Sequence, residues 1–326
     1  MPSNTMEQFA KKLEKIRKKR NLSRKNILGI NDLSIKDIEL IFDVAKVFKE
    51  DFVLPGEKKM PILKGRTIIN FFVETSTRTR TSFEIAGKEL GADVINISAD
   101  SSSMAKKKET LHDTIRTLGA METDLIVVRH SEAGAPKIVA EALGKPVINA
   151  GDGWHEHPTQ GLLDAYTITE KLGALKGKEI LIVGDILHSR VFGSVARVAR
   201  KLGAKVRVAS PPTMVPKEVE KEFKVKVFYN IEEAIKNVDV VYALRVQIER
   251  AANSYIPSLR EYSKLFNITP MRLALAKPGA IVMHPGPVNR DIDISNDVMR
   301  MPQCVVEDEV ANGYCVRLAL LYLILN

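Results

Sequence analysis

A chain of 326 residues, 45% hydrophobic and 27% charged, is long enough for two ordinary domains and has neither a disordered nor a fibrous composition. It holds no apolar run near the roughly 18 residues of a membrane span, no apolar N-terminal core of a secretory signal, and two cysteines, Cys304 and Cys315, that suit neither a disulfide framework nor a metal pair. The net charge of +9 is concentrated in residues 1–30, which hold nine Lys or Arg against two Glu, so the balanced remainder argues against a nucleic-acid-binding body and for an enzyme of small molecules in a reducing cytoplasm.

The basic arm, residues 1–25, reads as a solvated helix face, because no aromatic residue interleaves its charges beyond Phe9. Residues 33–48 place Ile38, Leu40, Ile41, Val44 and Val47 on one side of a helix. The run 68–73 is apolar and rich in β-branched and aromatic residues, which predicts a buried strand. Phe83, Ala86 and Leu90 then recur at helical spacing up to Gly91, a C-terminal cap. Between strand and helix lie Ser76-Thr77-Arg78-Thr79-Arg80, five donor-bearing residues expected as a loop. Such a loop aims backbone N–H groups, the positive end of a helix dipole and two Arg forks at one small volume, which suits phosphate. Ser and Thr are also ordinary N-caps, and Arg there can be a solvated face. Arg has the wrong sign for a helix N-terminus, however, unless an anion neutralises it. Neither G-x-x-x-x-G-K-[ST] nor G-x-G-x-x-G occurs, which turns the expectation away from nucleoside triphosphates and dinucleotides.

A second strand at 94–97 leads into a polar loop, Ser101 to Lys108, followed by a helix through Leu111, Ile115 and Leu118. A strand at 125–128 ends in Arg129-His130; a helix at 135–143 and a strand at 147–149 complete a four-strand α/β series. Residues 151–160 are a loop by composition and open a helix carrying Leu162, Leu163, Tyr166 and Ile168. A second series has strands at 180–183, 206–209, 225–228, 238–244 and 280–283, several ending in polar groups: Asp185 with His188 and Arg190, then Arg245-Val246-Gln247, then His284-Pro285-Gly286-Pro287. Residues 249–269 are expected as a loop able to move, and 307–325 as a helix. The fold class is therefore α/β, with two doubly wound parallel-sheet domains linked by helices: 1–150, including the arm 1–25, then 151–303, then a helix within 304–326 that returns to the first domain. Ligands collect at the C-terminal edges of such sheets.

His155-x-His157 is a candidate metal pair, but Pro-Thr-Gln follows it and no further His or Cys cluster completes a shell, so no metal and no cofactor are expected. Taken in order, the Ser-Thr-Arg-Thr-Arg stretch, the serine–lysine loop, Val-Arg-His, His-Pro-Thr-Gln, Arg-Val-Gln and His-Pro-Gly-Pro have the arrangement found in the carbamoyltransferases. The chain resembles the aspartate carbamoyltransferase branch of that family from about residue 22 to the C-terminus.

The resemblance implies transfer of a carbamoyl group from carbamoyl phosphate to the α-amine of L-aspartate, an early step of pyrimidine biosynthesis, in a cleft between the domains. It assigns Ser76, Thr77, Arg78, Thr79 and Arg129 to the phosphate, and Arg129, His157 and Thr79 to the carbamoyl oxygen. Gln160, Gly286 and Pro287 take its amino group. Arg190, Arg245 and Gln247 hold aspartate, with Ser103 and Lys107 contributed by a neighbouring subunit of a homotrimer. Lys108 stands where the family's mobile loop often has glycine. Regulatory chains or a dihydroorotase joining the assembly are not legible in the sequence. Ornithine carbamoyltransferases typically carry cysteine where this chain has Thr159 and Pro285, and a cationic acceptor would sit poorly among Arg190, Arg245 and Lys107. A reading from another class is a non-catalytic RNA-binding or scaffolding protein on the same fold. Salt-dependent RNA binding lost with residues 1–25 would mark it.

Overall fold

Two parallel sheets organise the chain. The computed structural model describes residues 4–98, 109–247 and 258–326, and these divide into two compact units, Met1–Leu163 with Ala311–Asn326, and Asp164–Val310. Among the described residues no helix is long and apolar enough to cross a membrane.

In the first unit, β1 (Thr67–Phe72), β2 (Asp93–Ser98), β3 (Leu125–His130) and β4 (Val147–Asp152) form a parallel sheet in the order β2-β1-β3-β4. Alternate residues Ile69 and Phe71 of β1 and Ile126 and Val128 of β3 join Ile115 of α4 (Leu111–Ala120) and Val139 of α5 (Ala135–Leu143) in one core. The opposite face meets α3 (Thr77–Glu89). There Gly87 is required by close approach, since a Cβ would stand 2.6 Å from Val94 Cγ2 and 3.3 Å from Ile68 Cδ1. The basic arm becomes α1 (Asn4–Lys19), whose Phe9 stacks on Phe52 and meets Phe48 of α2 (Ile35–Phe48) edge-on. Ser34 caps α2 by accepting from the Asp37 amide while the Asp37 carboxylate accepts from the Ser34 amide; such a cap contributes about 1 kcal/mol.

The second unit carries β5 (Glu179–Val183), β6 (Lys205–Ala209), β7 (Lys226–Phe228), β8 (Val240–Ala243) and β9 (Ile281–Met283), all parallel, in the order β7-β6-β5-β8-β9. Leu181, Val183, Val241, Ala243 and Val282 face a core that includes Tyr262 and Phe266. The division between the units falls inside α6 (Pro158–Leu172), and again inside the last helix, α9 (Val306–Leu325). Most of α9 is apolar on all sides and buried. In the first unit its Tyr322 meets Phe48, and its Arg317 donates to Ser82 and lies over the Phe83 ring.

Three expectations change. Thr77–Arg80 belong to helix, not loop, because Ser76 adopts the extended N-cap conformation and neither Gly nor Pro follows to delay the first turn. Gly151 and Asp152, expected in a loop, continue β4, because Asp152 pairs with His130 of β3. The mobile loop expected at 249–269 gives way, in its described part, to α8 (Leu259–Phe266). Ser258 caps this helix by accepting from the Glu261 amide, and Tyr262 and Phe266 are buried along it. The period-3.6 pattern was masked there by Arg260, Glu261 and Lys264, which occupy its exposed side.

Candidate functional site

Both sheets place their polar groups where strand order reverses. In the first, β1 lies between β2 and β3, so the chains leaving β1 and β3 run to opposite sides and open a crevice at their C-terminal ends. Ser76 to Thr79 follow β1, and Arg129 is the partner of Phe72, the last residue of β1. The ladder continues one step further, with the Val73 amide donating to the Arg129 carbonyl at 2.9 Å, which holds the start of the 73–76 turn against Arg129. The Arg129 guanidinium is fixed by Glu74, Nη2 to Oε1 3.1 Å, with both side chains mostly buried.

Ser76 is the N-cap of α3, yet its side chain makes no capping hydrogen bond. Arg78 is exposed on the first turn, and Thr79 is buried beneath it. A helix N-terminus leaves its first amides without i−4 carbonyls and carries a partial positive charge. Together these groups form a cationic, donor-rich turn able to hold a small dianion.

His157 arrives from β4. Thr79 Oγ1 lies 3.5 Å from its Nε2 and Thr159 Oγ1 3.3 Å from its Nδ1, so one imidazole joins the α3 turn to the start of α6, where Gln160 also sits buried. The delivery of His157 depends on Asp152, which is buried. Its Oδ1 accepts from Asn149 Nδ2 and the Glu156 amide, and its Oδ2 accepts from the Gly134 amide and contacts His155 Nδ1 at 3.1 Å. His155 and His157 thus have different partners. Burial alone would raise the Asp152 pKa, but the His155 ring and the Gly134 and Asn149 amides hold it below the ordinary 3.8. His130 next to it is pushed below the ordinary 6.5 by burial, against the pull of Glu132, Glu74 and Asp152.

Both shifts favour the fold at higher pH. A buried neutral His130 contributes stability that is complete above about 6.5 and declines as pH falls through its lower native value. The depressed Asp152 contributes stability present above 3.8 and lost below it. Thermal unfolding midpoints are therefore expected to fall in two acid steps, and His130→Gln should remove the step below pH 6.5 while leaving the one below pH 3.8.

In the second unit the reversal lies between β5 and β8. Arg190 starts α7 (Arg190–Lys201) after β5, and Arg245 and Gln247 follow β8. Gly184, at φ +128°, lets the two strand ends approach, since a Cβ there would stand 2.6 Å from the Leu244 carbonyl oxygen. Gln247 Nε2 donates to the His188 carbonyl at 3.0 Å, and His188 Nδ1 is 2.9 Å from Asp185 Oδ1, so the Arg190 and Arg245 segments are tied together. Gly286 and Pro287 follow the adjacent β9. Ser103 and Lys107 lie outside the described residues. Sequence reasoning missed Glu74, Asp152 and Asp293: Arg129 and Val246 lie far along the chain from Glu74 and Asp293, and the partners of Asp152, three of them within four residues, follow no periodic pattern.

Residues 25–170 match the family model described as aspartate/ornithine carbamoyltransferase, carbamoyl-P binding domain, and residues 176–324 match the Asp/Orn binding domain of the same family. The chain is 51% identical to the aspartate carbamoyltransferase catalytic subunit of Moorella thermoacetica, over 94% of this chain and 98% of that one. Among solved structures it is similar to aspartate transcarbamoylase from Trypanosoma cruzi in complex with carbamoyl aspartate and phosphate, with TM-score 0.83 and 31% identity over 91% and 94% of the two chains. Ornithine carbamoyltransferase from Pyrococcus furiosus is nearly as similar in shape, with TM-score 0.82 and 29% identity over 91% and 96%. Shape alone therefore does not separate the acceptors, whereas the 51% identity lies on the aspartate side. With both halves of the chain matched, this protein is a member of the aspartate/ornithine carbamoyltransferase family.

Proposed function

We propose that the protein is an aspartate carbamoyltransferase catalytic chain, whose first unit binds carbamoyl phosphate and whose second unit binds L-aspartate. The observation that carries the reading is the α3 turn, where Ser76, Thr77, Arg78 and Thr79 stand with Arg129 and His157 at three neighbouring strand ends. The aspartate α-amine attacks the carbamoyl carbon, the C–O bond to phosphate breaks, and the departing phosphate takes the amine proton. Negative charge grows first on the carbamoyl oxygen and then on phosphate. Thr79, Arg129 and His157 serve the oxygen, and Ser76 to Thr79 with Arg129 serve the phosphate. Each such donor is worth roughly 3 kcal/mol where it has been removed elsewhere. Gln160 and the backbone at Gly286 and Pro287 accept from the carbamoyl amino group. Arg190 and Arg245 pair with the two aspartate carboxylates and Gln247 assists, because a planar guanidinium matches a carboxylate fork.

Carbamoyl phosphate offered with aspartate and ornithine side by side tests the assignment. Carbamoyl aspartate and phosphate are expected; carbamoyl ornithine as the main product would overturn it.

We extend the reading to a cytoplasmic homotrimer in which Ser103 and Lys107 come from a neighbouring subunit. Lys107→Ala and Arg78→Ala, each inactive alone, are then expected to regain activity when mixed and reassembled, because some sites draw both intact residues from different chains. Mixed oligomers verified by mass that stay inactive would remove the shared site.

A further inference from the structure

We propose that Asp293 is a positioning residue that sets the acceptor side of the site, an inference that rests on the function proposed above. Asp293 is 2% exposed and belongs to no regular element. Its Oδ1 accepts from the amide of Val246, the residue between Arg245 and Gln247, at 3.2 Å. Its Oδ2 accepts from the Asn289 amide at 2.9 Å and lies 3.1 Å from His284 Nε2. On the far side of the His284 ring, Nδ1 accepts from the Gly286 amide at 2.8 Å. An Nδ1 that accepts carries no proton, so the ring is the Nε2–H tautomer and donates to Asp293. One carboxylate thereby holds the segment after β8, with its two aspartate ligands, and through His284 the Gly286-Pro287 segment after β9.

The surroundings are dry. His284 is 1% exposed, and Tyr262, fully buried, has its phenol pushed up by burial and by the charges of Asp293 and Asp185. Hydrogen bonds to an ion in such a place are stiff, and removing one misplaces a ligand rather than loosening a surface. The donor count makes the position selective for a carboxylate. Asp293 faces three donors and has oxygen on both sides. Asparagine keeps the shape but presents an amide N–H₂ toward either the Val246 amide or the His284 Nε2–H. In the second orientation the ring must move its proton to Nδ1, which then opposes the Gly286 N–H.

The test is Asp293→Asn in the full-length protein, read in three ways. Steady-state kinetics should show the aspartate KM rising tenfold or more, with a smaller fall in kcat. Titration with inorganic phosphate should give an affinity within twofold of wild type, because the α3 turn belongs to the other unit. ¹⁵N spectra of histidine-labelled protein should show His284 as Nε2–H in wild type and a gain of Nδ1–H in the variant. A folded variant with aspartate KM within twofold of wild type overturns the proposal, as does a phosphate affinity that falls in step with aspartate. Wild-type His284 protonated on Nδ1 overturns it even if Asp293→Asn does not fold. Wild-type protein that makes no carbamoyl aspartate would instead overturn the proposed function and leave the tautomer intact.

Discussion

Arg78→Ala is expected to lower kcat roughly a thousandfold, at the upper end of the loss seen when one preorganised donor to a developing oxyanion is removed. Two features of the residue push it to that end. Arg78 brings a full charge and a bidentate fork, where a backbone amide brings only a dipole. It also stands on the first turn of α3, where the helix dipole adds to its field on an anion and works against the fold when none is bound. Activity and stability should therefore separate. Removing a cation from a helix N-terminus relieves about 0.5 kcal/mol of unfavourable interaction with the dipole, which limits any fall in the unfolding midpoint of the variant while turnover collapses. Saturating steady-state kinetics and thermal unfolding on the same preparation check both halves. A kcat within tenfold of wild type would remove the α3 turn from the reaction.

Arg245→Ala should fail in a different parameter. Arg245 leaves β8 half-buried, beside Gln247 and close to the segment that carries Arg190. A charged hydrogen-bonded pair with a substrate carboxylate is worth about 2–3 kcal/mol, which corresponds to a rise in aspartate KM of roughly 30- to 150-fold. The carbamoyl carbon and the phosphate do not contact this side chain in the proposed mechanism, so kcat at saturating aspartate should fall far less. Phosphate affinity should not change. An unaltered aspartate KM would show that the acceptor carboxylate is held elsewhere.

Much of the fold and of the site is legible in the amino-acid sequence. The central parallel strands read well because they are buried on both faces and show as apolar runs; the edge strands β2 and β7 are partly exposed, yet every strand expected is present within a few residues. The α3 turn read well because its signal is local: five donor-bearing residues at a strand-to-helix junction need no knowledge of the rest of the chain. Where local signals conflict, boundaries slipped. The first turn of α3 looked like loop because Thr and Arg are polar, and α8 was hidden because charged residues interrupt its core-facing Leu259, Tyr262 and Phe266.

The order of chemistry-bearing segments along the chain, their strand-to-helix junctions and the charge they carry were set by amino-acid sequence alone, since each arises from neighbours a few residues apart. Which strands lie side by side, and hence that the junctions after β1 and β3, and after β5 and β8, face one another, came only with the folded sheets. The same holds for Glu74 on Arg129, Asp152 behind His157 and Asp293 behind Val246 and His284. A carboxylate that orients a ligand is selected by where its donors are in space. Arg129 is 55 residues from Glu74 and Val246 is 47 from Asp293, and where donors are near in sequence, as Asn149 and Glu156 are to Asp152, no periodicity records them.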